Sequence, residues 1–438
     1  MKQKQIQPTK KYMQSMTQDS GPRVLRALGV SAAVALLLAT SPARADEVSE
    51  LKAAVQALQK RLETLESQAK TTEETNDRQT DQIAQAKTSV PGWVPNFNFK
   101  GDLRYRNETI DPAYSVNRSR DRFRVRAGFV AKVNETVNTE LLLASSDDPR
   151  STNQTLTGVN IRKPIYIDLA YAEWRPHADW KFTIGRMKYP WMRPGQSILF
   201  DGDINPEGLA VNYSHGQFFA STFYHYLEER SASADSTLFG GQLGWKQPIG
   251  AASLTVGASL FDFNSVQHRN PFYAGSSNGN TTTTAGCVAG QSPCLLNDYN
   301  MIEGFAEYTM PVGDRSLTVH ADYFKNLAAV NDHDTAYSVG VQYGRASNPG
   351  TWEVGYFYQR QEKDSVNGQY LDSDYAGGNS DGKGGVLKAG YAIARNWTFN
   401  VTYFMNKTNI DVPVNVAGVG SVLNRDYKRL MVDMNFKY

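Results

Sequence analysis

Two periods divide the chain. From Asp46 to about Lys87 apolar residues fall at Val48, Leu51, Val55, Leu58, Leu62, Leu65 and Ala69, spaced three and four in turn. This is an a/d seam flanked by Lys, Arg, Glu and Gln, and it predicts a coiled-coil helix about 60 Å long. A single amphipathic helix lying on a globular core fits less well, because no helical core follows. The seam weakens through Thr72, Asn76 and Gln79 and resumes at Ile83 and Ala86, and the prolines of Pro91-Gly92-Trp93-Val94-Pro95 end it. Beyond a linker at 91–96 the period becomes two. Phe97, Phe99, Leu103 and Tyr105 alternate with Asn98, Lys100, Asp102, Arg104 and Arg106, and Phe123, Val125, Ala127 and Phe129 alternate with Arg122, Arg124, Arg126 and Gly128. Residues two apart share one face of a strand.

Alternation alone leaves two architectures open. In a soluble sandwich the apolar face meets another sheet; in an outer-membrane barrel it meets lipid while the polar face lines a wet lumen. The connections separate them. Sixteen strand segments are legible between 97 and 438, joined alternately by turns of a few residues, such as Asn134-Glu135-Thr136 and Val312-Gly313-Asp314, and by much longer loops. Long loops at one end, short turns at the other and an even strand number predict an all-β fold, a transmembrane antiparallel β-barrel with an aqueous bore. The last segment alternates Leu430, Val432, Met434, Phe436 and Tyr438 with polar or lumenal positions, like the terminal strands by which such barrels are recognised for assembly.

Composition adds an address. The longest apolar run, Ala27 to Ala39, is too short to span a bilayer as a helix. It follows Arg23 and Arg26 and precedes Ala43-Arg44-Ala45, the layout of a signal peptide over 1–45, with Met13 and Met16 as alternative starts. The whole chain carries a formal charge of +2; cleavage after Ala45 leaves 39 basic against 43 acidic residues, which removes the main support for a nucleic-acid partner. Cys287 and Cys294, the only cysteines, stand seven apart in a Gly/Ser/Thr/Asn-rich segment and read as a disulfide of an exported protein.

The candidate chemistry is a pore's. Between Tyr189 and Tyr213 lies a proline-bounded stretch with Asp201, Asp203, Asn205, Pro206 and Glu207. Inside a barrel such a loop, bounded at 188–206, is expected to fold into the lumen; the alternative is a solvated surface loop. Arg104, Arg106, Arg122, Arg124 and Arg126 share the lumenal parity, since arginine facing lipid near the midplane costs about 2–4 kcal/mol. Cations on the wall facing Asp201, Asp203 and Glu207 on the loop would set a field across the bore that sorts solutes by charge; some acids would instead pin the loop. The six histidines show no metal spacing, and His320 with Asp322 lacks a nucleophile motif, so no cofactor, metal or enzymatic activity is expected.

Several motifs together resemble the putative porin family of Gram-negative bacteria: the coiled coil, Gly101-Asp102-Leu103-Arg104-Tyr105-Arg106, Ala170-Tyr171-Ala172-Glu173-Trp174 and above all Phe200-Asp201-Gly202-Asp203-Ile204-Asn205-Pro206-Glu207-Gly208-Leu209. The resemblance implies a sixteen-stranded outer-membrane porin, with the 188–206 stretch as its inward-folded third long loop. It favours a homotrimer, whereas Val at a with Leu at d leans towards two strands. Related porins include phosphate-selective ones; the acidic loop argues against that solute. Membrane lipid and lipopolysaccharide are the expected surroundings, and the coiled coil is expected in the periplasm. The rival function is an anchor whose coiled coil tethers the envelope to peptidoglycan.

Overall fold

The hydrogen-bonding requirement of a strand in lipid has one all-antiparallel solution, a sheet that closes on itself. In the computed structural model, which describes residues 45–89, 94–156, 159–197, 199–272 and 276–438, the sheet does so. Sixteen strands form the wall. They are β1 Phe97–Pro112, β2 Arg118–Lys132, β3 Val137–Ala144, β4 Tyr166–His177, β5 Trp180–Arg186, β6 Glu207–His215, β7 Phe218–Glu228 and β8 Ser236–Ile249. The second half comprises β9 Ala252–Asn264, β10 Tyr299–Val312, β11 Arg315–Asn326, β12 Thr335–Gly344, β13 Trp352–Gln361, β14 Gly382–Ala394, β15 Trp397–Thr408 and β16 Arg425–Lys437. Each pairs with the next, and β16 returns to β1 from Asp102↔Lys437 to Pro112↔Tyr427. The seam is tight: the Gly101 and Tyr438 backbones exchange hydrogen bonds, and a Cβ on Gly101 would stand 2.4 Å from the Arg126 carbonyl oxygen.

The chain divides between Pro91 and Gly92 into a helical unit and the barrel unit. Helix α1, Ala45–Ser89, carries the seam of Leu51, Val55, Leu58, Leu62 and Leu65 exposed along it. The expected signal peptide up to residue 44 lies outside the described residues, as do Pro91–Trp93 of the linker; Val94–Asn96 make one 3₁₀ turn.

In the barrel, the short connections are hairpin turns. Gly216, Gly250, Gly313 and Asn396 sit at φ of +59 to +63, where L side chains other than Asn rarely go. The opposite end carries the other connections, the longest of them residues 145–165, 187–206, 265–298, 362–381 and 409–424. Outward positions are large and apolar, as in Leu103, Ile184, Leu209, Leu243, Val319, Val339 and Leu430. Aromatic pairs border this band near the turns (Trp180–Tyr213, Trp397–Phe436) and near the loops (Tyr224–Tyr226, Tyr337–Tyr358), where amphipathic rings suit the two membrane interfaces. The buried apolar core therefore lies inside the barrel, where loops fold in against the wall.

Candidate functional site

Strand parity places the arginines. On β1 and β2 the even-numbered residues point inward, and register sets Arg104 opposite Arg124 and Arg106 opposite Arg122. Like charges directly opposite destabilise a sheet. Acids interleaved in the same rows relieve this. Asp102 receives Arg124 at 2.7 Å and Arg126 at 2.6 Å. Asp433 of β16 takes both prongs of Arg106, at 2.7 and 2.8 Å. Glu108 is ion-paired to Arg120 and Arg429 and lies 3.6 Å from Arg122. Asp374 reaches in to Arg106 and Arg429 from the loop at 362–381. Six guanidinium groups thus meet four carboxylates, and Arg104 adds a seventh to the row. Within this cluster Arg104 is the one whose partner is neutral, its Nη2 donating to Asn153 Oδ1 at 2.6 Å.

The loop that joins β5 to β6, residues 187–206, lies against the inner faces of β7 to β11. Trp191 packs at a tilt on Phe223 and meets Phe261 and Phe200, and Phe200 reaches Phe324 and Tyr370. Gln242 bonds both the amide and the carbonyl of Met192. Gly195 approaches so closely that a Cβ would stand 2.1 Å from the His320 ring, while its amide donates to Glu307. That contact covers His320; it and Asp322 are buried under the loop.

The loop's acids do three different things. Asp201 is buried and accepts from the amides of Ser373 and Asp203, so it joins this loop to the 362–381 loop. Burial, reinforced by Asp372 and Asp203, pushes its carboxyl well above the usual range. Asp203 is half-buried and within electrostatic reach of Arg104 and Arg124. Asn205 donates to the Asp168 carbonyl and carboxylate, and the Pro206 carbonyl accepts from Met187 to close the loop's neck. Glu207 departs from the sequence expectation. It is the first residue of β6, cross-strand from Arg186, which it meets at 2.8 Å, and it shares the outward parity of Leu209. The strand begins one residue earlier than the constriction reading needs, and alternation turns Glu207 out of the bore. Asp201 likewise pins the loop rather than facing the arginine wall.

A family profile described as "Putative porin" matches residues 107–300 and 304–422. The chain belongs to this family. Among curated proteins nothing matches. Among solved structures it is similar to the high-pH form of Pseudomonas putida OprB, at 13% identity and a TM-score of 0.51, over 78% of this chain and 94% of that one. Salmonella typhi OmpF in complex with daunomycin aligns at 12% identity and TM-score 0.47, over 78% and 97%. The trimer form of in-vitro folded Vibrio cholerae OmpT aligns at 14% and 0.45, over 78% and 99%. At such identities the first of these likenesses concerns the fold, a porin barrel. Family and fold together make this an outer-membrane porin channel.

The porin's lumen holds a second inward loop that sequence reasoning missed. Residues 362–381 bury Val366, Tyr370, Leu371, Tyr375 and Ala376, and Tyr375 donates to the Gln359 carbonyl of β13. Two acids two residues apart are driven in opposite directions there. Burial raises Asp372 to about 6, with Asp374 adding to the effect. Burial also works against the Asp374 carboxylate, but Arg429, Arg106, Arg104 and Arg122 outweigh it and hold the group well below the usual range. The signal was present in Tyr370-Leu371-Asp372-Ser373-Asp374-Tyr375, apolar residues clasping paired acids in a long loop. The 265–298 loop braces it: Asn280 bonds the Lys363 and Val366 carbonyls and the Gly368 amide, and Gln369 bonds both polar groups of the Phe272 backbone. Cys287 and Cys294 are disulfide-bonded in that bracing loop, their Cα atoms 5.7 Å apart.

Proposed function

We propose that this porin conducts small hydrophilic solutes and ions by passive diffusion, with its narrowest part between the arginine wall of β1, β2 and β16 and the 187–206 loop. The observation that carries the reading is the charge imbalance on the wall, seven guanidinium groups against four carboxylates, with Asp203 as the loop's facing acid. A transverse field of this kind discriminates ions without a dedicated binding pocket. Arg104, Arg106, Arg122, Arg124 and Arg126 act as its cationic side. Asp203 acts as its anionic side, while Asp201, Asn205 and Pro206 hold the loop in place. Single-channel recording in a planar bilayer tests the reading: stepwise ohmic currents support it, and an insulating purified protein overturns it.

The helix adds an assembly. Its exposed heptad seam favours burial against other copies in a periplasmic coiled coil, and we propose a homotrimer set in lipid and lipopolysaccharide, with the mature end at Asp46 after signal cleavage. Sedimentation equilibrium of the full-length protein and of the 46–90 peptide tests this; a monomeric, helix-free peptide refutes it. Contact of the coil with peptidoglycan would add a tethering role. A protein that binds peptidoglycan yet passes no current would make that role the function.

A further inference from the structure

Each of the four carboxylates paired on the arginine wall has a guanidinium partner; a second group of acids has only hydrogen bonds, from the Arg150 amide to Asp148, the Thr152 amide to Asp203 and the Asn205 side chain to Asp168. At the loop end of the barrel, a cavity of about 330 Å³ is lined by Asp147, Asp148, Thr152, Asp168, Arg186 and Asp203, among others. Among the described residues none of its four carboxylates has an ion-pair partner within 4 Å, whereas Asp102, Glu108, Asp374 and Asp433 all do. Asp147 and Asp148 are exposed at the rim and Asp203 is half-buried. Asp168 is only 6% exposed; one carboxylate oxygen accepts from Asn205 and the other, Oδ2, has no hydrogen-bond partner. A buried carboxylate oxygen left without a partner is costly, and a ligand that supplies donors relieves that cost.

The local cations do not fill this role. Arg186 is committed to the Asp168 main-chain carbonyl and to Glu207. Lys188 and Arg126 are within electrostatic reach of Asp168 but outside ion-pair distance. Nor does the site suit a metal: among the described residues no three acidic, His or Cys groups stand close enough to ligate one. Its volume is at the lower end of small-molecule pockets. We propose that this cavity is a receiving site for small organic cations, in which a primary ammonium or guanidinium group is taken up by Asp168 and Asp203 with Asp147 and Asp148 at the rim. Its role at the entrance to the bore rests on the channel reading above. A solute bound there would stand next to the constriction, since Asp203 belongs to both.

The test uses the full-length protein in detergent, titrated calorimetrically at low ionic strength with agmatine, with propionate and calcium chloride as comparators. Saturable agmatine binding is expected, weakened at least tenfold both by Asp168→Asn and by the pair Asp147→Asn with Asp148→Asn. The rim pair lies on exposed positions, so it reports even where Asp168→Asn does not fold. Unchanged affinity in the rim pair and in any folded Asp168→Asn protein overturns the site, as does displacement of agmatine by equimolar calcium. Bilayer recording separates the two proposals. A conducting channel that binds no agmatine removes the site alone, and a protein that binds agmatine but carries no current removes the channel reading alone.

Discussion

The inner wall of the barrel has two sectors built by the same alternation and filled in opposite ways. On β1, β2 and β16 the inward row is arginine and acid, held largely in ion pairs. On β7 to β11 the inward row includes Phe223, His225, Phe261 and Phe324, and the 187–206 loop covers it with Trp191 and Phe200. Parity decides that a residue faces inward. Whether inward means an ion-paired or an apolar interior depends on the row and on which loop lies over it. Burying the β7–β11 sector takes aromatic rings out of water, whereas the arginine sector, where Arg106, Arg122 and Arg429 are also buried, is covered by loop groups that pair with it, Asp374 on Arg106 and Arg429 and Ser151 and Asn153 on Arg122.

The sharpest way to break this contrast is to undock the loop. Trp191→Ala removes a 6%-exposed ring with four aromatic neighbours within 5.5 Å, a loss of about 3–5 kcal/mol for a buried Trp. Single-channel conductance is expected to rise clearly, because the loop no longer narrows the bore. Conductance at the wild-type level would mean the loop does not set the diameter.

Acid should act on the second loop. Asp372, raised to about 6, binds its proton more tightly in the seated loop than in a released one. Seating is therefore strongest below the ordinary carboxylate range and weakens as pH rises through about 6. Asp374, shifted the other way, stays ionised across that window and contributes no step. Channel noise or mean current is expected to increase between pH 5 and 7, and Asp372→Asn should flatten the profile. A pH step that persists in Asp372→Asn assigns the titration elsewhere.

Charge substitutions across the bore should have smaller, opposite effects. In a salt gradient Asp203→Asn is expected to move the reversal potential towards anions and Arg104→Ala towards cations. Both shifts should fade at 1 M salt, where the screening length is about 3 Å against about 10 Å at 0.1 M. Identical potentials in both variants at low salt would place Asp203 outside the conducting path.

The smallest effect belongs to Glu207→Gln. An exposed outward pair with Arg186 is worth about 0–1 kcal/mol, and neither the reversal potential nor the melting midpoint should move beyond that. A selectivity change as large as that of Asp203→Asn would return Glu207 to the bore.

Much of the architecture was legible along the chain. All sixteen strands, their alternation, and the segregation of turns from long loops are local properties, because side-chain direction repeats every two residues and each hairpin needs only its own turn chemistry. The inward parity of Arg104, Arg106, Arg122, Arg124 and Arg126 follows from the same rule. What they pair with does not. Asp433 is 327 residues from Arg106 along the chain and becomes its neighbour only because β16 closes the barrel on β1. The parting of Asp201, Asp203 and Glu207 into a buried pin, a half-buried acid within reach of Arg104 and Arg124, and an outward residue depended on where the strand begins and on a loop 172 residues away that meets Asp201 through Ser373. Short-range periodicity determined the wall. The contents of the bore were decided by contacts between distant loops, whose burial and charge balance exist only once the sheet has closed.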